Sequence, residues 1–263
     1  MKKNVKLKAA AEKQERKNKS WELDREHIVQ NITINKFDKM NFQGSEAYKT
    51  LRTNILFSGE GNKTIAITSC MPNEGKSSVT MNLAISLSEA GKRVLLIDAD
   101  MRKSVLVGRY KMKGAKKGLS HYLSGQCELQ EIVSITNIER FHMILSGPVP
   151  PNPSELLGNK RFSGLLKELR TVYDYIIIDC PPVGTVVDAM IVGNISDGVA
   201  MVIAAEQISY KFAQKVVAQL EQAGCKVLGV ILNKVTLKNK GYYGKYYGKY
   251  YGKYYGEYYS NEE

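Results

Sequence analysis

Two rhythms of apolar residues alternate along this chain. One is unbroken. Ile65–Thr68, Val94–Ile97, "FHMILSG", "YDYIIIDC", "GVAMVIAA" and "CKVLGVILN" are short apolar runs of strand length, and their lack of polar alternation marks strands covered on both faces. The other rhythm is helical. Tyr48, Leu51, Ile55 and Leu56 fall at helical spacing inside "SEAYKTLRTNILFS", which predicts an amphipathic helix over Ser45–Ser58 with Ser45 as its N-cap. Lys76–Ala90 reads as a second helix, stopped by Gly91, and Ile208–Ala223 as a third. "GPVPPNPSELL" (Gly147–Leu157) is a proline-rich loop that enters a helix capped near Ser154. The strand–helix–strand order over 65–97 is a βαβ unit, whose crossover makes its strands parallel. Repeated alternation of this kind predicts an α/β fold, a doubly wound, mostly parallel sheet with helices on both faces.

The two ends break both rhythms. Residues 1–26 are polar, weakly periodic and carry a net +4, so 1–35 reads as a basic flexible arm ahead of a domain over 36–240. The chain closes on "KGYYGKYYGKYYGKYYGEYYSNEE", which holds ten of the sixteen tyrosines. Glycine at every fourth position disfavours a helix, and the repeat has no core to pack into. Residues 241–263 are therefore expected to form a disordered tail. Taken alone, the repeat is best read as aromatic low-complexity filler.

Charge sharpens the picture. Of the net +12, residues 102–117 contribute +7 with no acidic residue, while the tail from Gly241 is neutral. Such a patch suits phosphate, anionic lipid or nucleic acid. No nucleic acid is expected, because no aromatic stacking platform adjoins it. No apolar run nears the ~18 residues that cross a bilayer. The basic N-terminus lacks the apolar core of a secretory signal. Cys70, Cys127, Cys180 and Cys225 never fall at metal-ligand spacing, which suits reduced thiols in the cytoplasm.

Candidate chemistry sits at three strand ends. "CMPNEGKSS" joins a strand to a helix, where a phosphate-binding loop belongs. Gly75 lets backbone N–H groups wrap a phosphate, Lys76 reaches β and γ oxygens, and the Ser77 hydroxyl suits Mg2+. Glu74 and Ser78 complete the candidate contacts of this loop. Cys70 stands where the usual G-x-x-x-x-G-K-[ST] pattern has its first glycine. "VLLIDADMRK" ends a strand in Asp98, with Asp100 and Arg102 beyond, and "YIIIDCPP" ends another in Asp179. Carboxylates at the C-terminal ends of parallel strands face the ligand crevice. Asp98 and Asp179 join Ser77 as candidate Mg2+ ligands. Asp98 and Asp100 share metal positioning and proton acceptance, with no division between them. Arg102 is placed to offset charge on a transferred phosphoryl group. Asn233, at the end of "VLGVILN", either reads a nucleotide base or forms a turn.

These motifs resemble the P-loop group of chromosome-partitioning and septum-positioning ATPases. They are more similar to its relatives, the bacterial protein-tyrosine kinases of capsule and exopolysaccharide synthesis. Met71 stands where the partitioning ATPases carry a signature lysine that reaches a partner's nucleotide. "DADMR" is similar to the kinases' additional acidic motif. Glu46, Lys49 and Arg52, inside "EAYKTLRTN", resemble their E-x-x-R-x-x-R subunit-contact motif, with lysine for the first arginine. "GPVPPNPSELL" also resembles the family, and the likeness runs from about Phe42 to the C-terminus. The resemblance implies an ATP- and Mg2+-dependent autokinase acting in trans on Tyr242, Tyr243, Tyr246, Tyr247, Tyr250, Tyr251, Tyr254, Tyr255, Tyr258 and Tyr259. It also implies a ring-forming homo-oligomer, a separate membrane-embedded activator and an opposing phosphotyrosine phosphatase. The expected location is the inner face of the cell membrane, held there through the partner, and the expected role is control of polysaccharide export. The alternative is a switch ATPase of the partitioning kind that positions cargo on membrane or DNA.

Overall fold

The computed structural model describes residues 30–59 and 61–235. The tail tyrosines and arm residues 1–29 lie outside the described residues. Along the chain the elements are β1 (Gln30–Ile32), α1 (Phe42–Phe57), β2 (Thr64–Ser69), α2 (Lys76–Glu89), β3 (Val94–Asp98), α3 (Leu106–Arg109) and α4 (Leu119–Leu123). A single 3-10 turn (Leu129–Glu131) leads to β4 (Ser134–Thr136), β5 (Phe141–Ile144), α5 (Pro153–Gly158) and α6 (Lys160–Val172). The chain then forms β6 (Tyr175–Asp179), α7 (Asp188–Asn194), β7 (Gly198–Ala204), α8 (Tyr210–Gln222) and β8 (Val227–Asn233).

Eight strands form one sheet in the order β1-β4-β5-β3-β6-β2-β7-β8. Every neighbouring pair is parallel except β4 with β5. Side chains alternate across each strand, so each apolar run feeds two cores at once. Leu95, Ile97, Ile176, Ile178 and Met201 point to a core closed by Phe162, Leu165 and Leu169 of α6 and by Val216 and Leu220 of α8. Val94, Leu96, Ile177 and Val202 point to the opposite core, closed by Val79, Leu83 and Leu87 of α2 and Ile55 of α1. Each such buried aliphatic contributes roughly 1.5–3 kcal/mol. This is the doubly wound P-loop architecture expected.

Two boundaries differ from the sequence reading. The arm drawn over 1–35 runs too far, because Gln30–Ile32 pairs with β4 and both Ile32 and Ile34 are buried. Two apolar residues at alternate positions are too brief a signal to stand out from a polar stretch. Helix α1 starts at Phe42, and its cap is Asn41, whose Oδ1 accepts from Gly44 N at 2.8 Å. Ser45 already lies inside that helix, with its N–H on the Asn41 carbonyl. In the proline-rich stretch the helix opens at Pro153, close to Ser154 as expected. Among the described residues no helix is long and apolar enough to cross a membrane.

Candidate nucleotide and phosphoryl-transfer site

Parallel pairing brings the C-terminal ends of β2, β3 and β6 side by side. The register sets Asp98 opposite Asp179 across β3 and β6, and Ile67 opposite Asp179 across β2 and β6. The loop after β2 turns at Gly75, whose φ of +92° is left-handed, and opens α2 at Lys76. A Cβ on Gly75 would lie 2.1 Å from Asn233 Nδ2, so glycine is required on both counts. No side chain caps α2, and its intrahelical ladder begins with Val79 N donating to Gly75 O at 3.0 Å. The amides of Lys76, Ser77 and Ser78 precede that bond, which suits an anion at a helix N-terminus.

Lys76 lies buried between two carboxylates. Its Nζ is 3.1 Å from Asp179 Oδ1, 3.3 Å from Asp100 Oδ2 and 3.2 Å from Ser77 Oγ. Burial alone would lower its pKa, but Asp179 and Asp100 outweigh this and raise it. Thr80, one turn along α2, donates to Asp179 Oδ1 at 3.2 Å. Asp98 is fully buried. Burial first, and the adjacent Asp179 second, raise its carboxyl to about 7, while the Ser104 hydroxyl donating to Oδ2 opposes the shift. The Asp100 and Lys103 N–H groups donate to Asp98 Oδ1 and Asp100 Oδ1, fixing both carboxylates.

Ser77, Asp98 and Asp179 form a hard-oxygen set of the kind that suits Mg2+. No cluster of three His, Cys, Asp or Glu able to hold an ion occurs among the described residues. Mg2+ does not require one, since it is usually held by one or two carboxylates together with substrate phosphates and water. The residues present therefore fit a magnesium–nucleotide complex.

Three expected site residues are engaged elsewhere. Arg102 does not face the aspartate cluster. It forks onto the fully buried Asp188 at the start of α7, with Nε 2.7 Å from Oδ2, and donates to Ser154 Oγ at 2.8 Å. It thus ties the exit of β3 to α5 and α7. Glu74 turns into its own loop, where Oε2 accepts from Met71 N at 2.7 Å and Oε1 from Ala204 N at 3.3 Å. Asn233 neither forms a turn nor projects freely toward a base. Its Nδ2 donates to Glu74 O at 2.9 Å, and Lys234 Nζ donates to Asn73 O at 2.6 Å. The phosphate loop is therefore braced from the ends of β7 and β8. Cys70 is a buried wall residue, its thiol pushed up to about 12 by burial and then by Glu74.

An AAA domain family model matches residues 62–227. The tyrosine-protein kinase CpsD of Streptococcus agalactiae is 47% identical over 205 residues, which cover 76% of this chain and 90% of that one. The chain belongs to the bacterial tyrosine-protein kinases. Among solved structures, the kinase domain of Escherichia coli tyrosine kinase ETK superposes with a TM-score of 0.71 at 32% identity, covering 78% of this chain and 84% of that one. The septum site-determining protein MinD from Pyrococcus horikoshii, complexed with Mg-ADP, gives a TM-score of 0.55 at 28% identity, over 65% and 69% of the two chains.

In this tyrosine-protein kinase, Glu46 and Lys49 pair with each other on α1 at 2.6 Å. Arg52 reaches inward, donating to Ser86 O at 2.9 Å and so joining α1 to α2. Met71, at the second loop position, is 41% exposed. Sequence reasoning missed Thr80 and Ser104 as carboxylate partners. Thr80 has a usable signal, four residues past Lys76 on one helix face, whereas nothing local singles out Ser104.

Proposed function

We propose that this chain transfers the γ-phosphoryl group of ATP to tyrosine hydroxyls of its own tail, acting on a neighbouring copy. The observation that carries this reading is the register that sets the buried Asp98 opposite Asp179 at the strand ends, with Lys76 at the N-terminus of α2 paired to Asp179. A carboxylate whose proton affinity is raised by burial and by Asp179 is suited to take the proton of an attacking phenol. In the reaction the phenol oxygen bonds to the γ phosphorus, the bond to the bridging oxygen breaks, ADP leaves and the proton passes to Asp98. Lys76 and the first amides of α2 hold the phosphates and oppose their charge. Ser77 and Asp179, with Asp98 or Asp100, would hold Mg2+, which would supply neutralisation of phosphate charge. Asn233 Oδ1 remains able to meet a base while its Nδ2 braces the loop.

The tail supplies the acceptor. Its glycines keep the backbone slim enough to thread a cleft. Support for the wider role comes from the relatives named as tyrosine-protein kinases, CpsD and YwqD, and from a solved chimerical protein, CapA2B2, that is 34% identical. On this reading the chain acts in capsular or extracellular polysaccharide synthesis, peripheral to the membrane through an activating partner. Phosphotyrosine is stable in water, so a cycling tail needs a phosphatase.

Incubation with γ-labelled ATP and Mg2+ tests the reading. Label on tail tyrosines is expected, and Lys76→Met is expected to abolish it while one cooperative melting transition persists. Free phosphate without protein label would instead show a switch ATPase of the partitioning kind.

A further inference from the structure

The basic stretch that follows Asp98 and Asp100 ends in a loop held from two sides. On one side, Lys113 exchanges both backbone bonds with Thr33, just past β1. The buried Gln30 amide accepts from the N–H groups of Lys116 and Lys117 and donates to the carbonyls of Lys117 and Glu131. Gly114, at φ +107°, passes so close that a Cβ would lie 2.1 Å from Asn31 O. On the other side, the Leu119 and Ser120 N–H groups bond the Leu145 and Ser146 carbonyls at the exit of β5. A Cβ on Gly118 would lie 2.5 Å from Gly147 N. The fold thus fixes a loop whose Lys113 and Lys116 are exposed.

This loop borders a cavity of about 280 Å3, lined by Val107, Lys113, Lys116, Lys117, His121 and Pro148 among others. Its walls are of two kinds. Val107 and Pro148 are apolar and offer a slot for a ring. Lys113 and Lys116 are cations with no ion pair among the described residues, whereas Lys117 pairs with Glu131. Behind Gly147, Ser120 Oγ is buried without a hydrogen-bond partner. A bare phosphate needs no apolar slot, and an unmodified phenol needs no cations. An aryl phosphate uses both.

We propose that this cavity binds phosphotyrosine, and that its occupant is the phosphorylated C-terminal tail of this chain. The source of the ligand rests on the autokinase reading, while the chemistry of the pocket does not. The unmodified tail is neutral, and each phosphate adds about −1.5 to −2, so attraction to Lys113 and Lys116 arises only on modification. In the sheet, β5 neighbours β3, which ends in Asp98, so the pocket lies one strand from the transfer site. A modified tyrosine held there clears that site for the next pair.

The test is calorimetric titration of the phosphatase-treated full chain, without ATP, with the synthetic peptide GKYYGKYYGK, bare or tyrosine-phosphorylated. The phosphopeptide is expected to bind at least ten-fold tighter than the bare peptide and than inorganic phosphate. Lys113→Glu with Lys116→Glu is expected to weaken it at least ten-fold. Lys39→Glu with Lys111→Glu makes the same charge change at exposed positions outside the cavity and is expected to leave binding within two-fold. If the first pair melts early, Lys113→Gln with Lys116→Gln carries the same comparison. Equal binding of the two peptides, equal loss in both double variants, or phosphate binding as tightly as the phosphopeptide would overturn the proposal. A chain that binds the phosphopeptide but never labels its own tail would keep the pocket and refute the autokinase. A chain that labels its tail but does not bind the phosphopeptide would refute the pocket alone.

Discussion

At the scale of single residues, the site is a contest between burial and charge. Asp98 holds its proton more tightly in the folded chain than in the unfolded one, where an ordinary value near 3.8 applies. Its contribution to stability is therefore fullest below about 4 and is lost as pH rises through about 7. Urea unfolding of nucleotide-free, chelator-treated protein is expected to show this decline. Asp98→Asn is expected to flatten it, to add on the order of 1–3 kcal/mol at pH 8, and to abolish tail labelling. Glu74 makes a second case. Its two oxygens accept from two backbone N–H groups, and glutamine offers only one acceptor oxygen. Glu74→Gln is expected to raise the KM for ATP about ten-fold with a smaller change in kcat, since it loosens the loop that holds phosphate and leaves the aspartates in place. Equal falls in kcat and kcat/KM would contradict the bracing role. Lys76, Asp98 and Asp179 were legible in the sequence because each ends or follows an apolar strand. The bracing contacts of Glu74, Asn233 and Arg102 were not legible, because their partners, Ala204, Glu74 O and Asp188, are brought near only by the fold.

At the scale of elements, α1 shows how a local cap supports a distant contact. Asn41→Ala removes the bond to Gly44 N and is expected to cost about 1 kcal/mol. The melting temperature should fall by roughly 2–4 °C, while stabilisation by added Mg-ADP persists, because α2 keeps its own N-terminus. Loss of that stabilisation would mean that α1 acts on the nucleotide through Arg52 and Ser86. Strands β2, β3, β6 and β7 were legible because burial on both faces makes them uniformly apolar. β1 and β4 were not, because three residues at a sheet edge leave hardly any periodic signal. The left-handed Gly75 was legible as part of a motif, but the two-sided anchoring of the Lys113–Lys117 loop was not.

At the scale of the whole molecule, the proposed tail phosphorylation would change the sign of the net charge. The chain carries +12, and ten tail phosphates would add about −15 to −20, giving a negatively charged product. Unmodified tails docked on neighbours are expected to help hold an oligomer that full phosphorylation dissolves through mutual repulsion. Native mass spectrometry with and without Mg-ATP reads this directly, and an assembly that survives full modification would contradict it.

The order of strands also gives the molecule a direction. β1 and β8 are the two outer strands of the sheet, so Gln30 and Asn233 sit at opposite edges, seven strand spacings or about 34 Å apart. We infer that copies joining head to tail along the sheet would set β1 of one against β8 of the next, a heterologous contact that closes as a ring or runs on as an open filament.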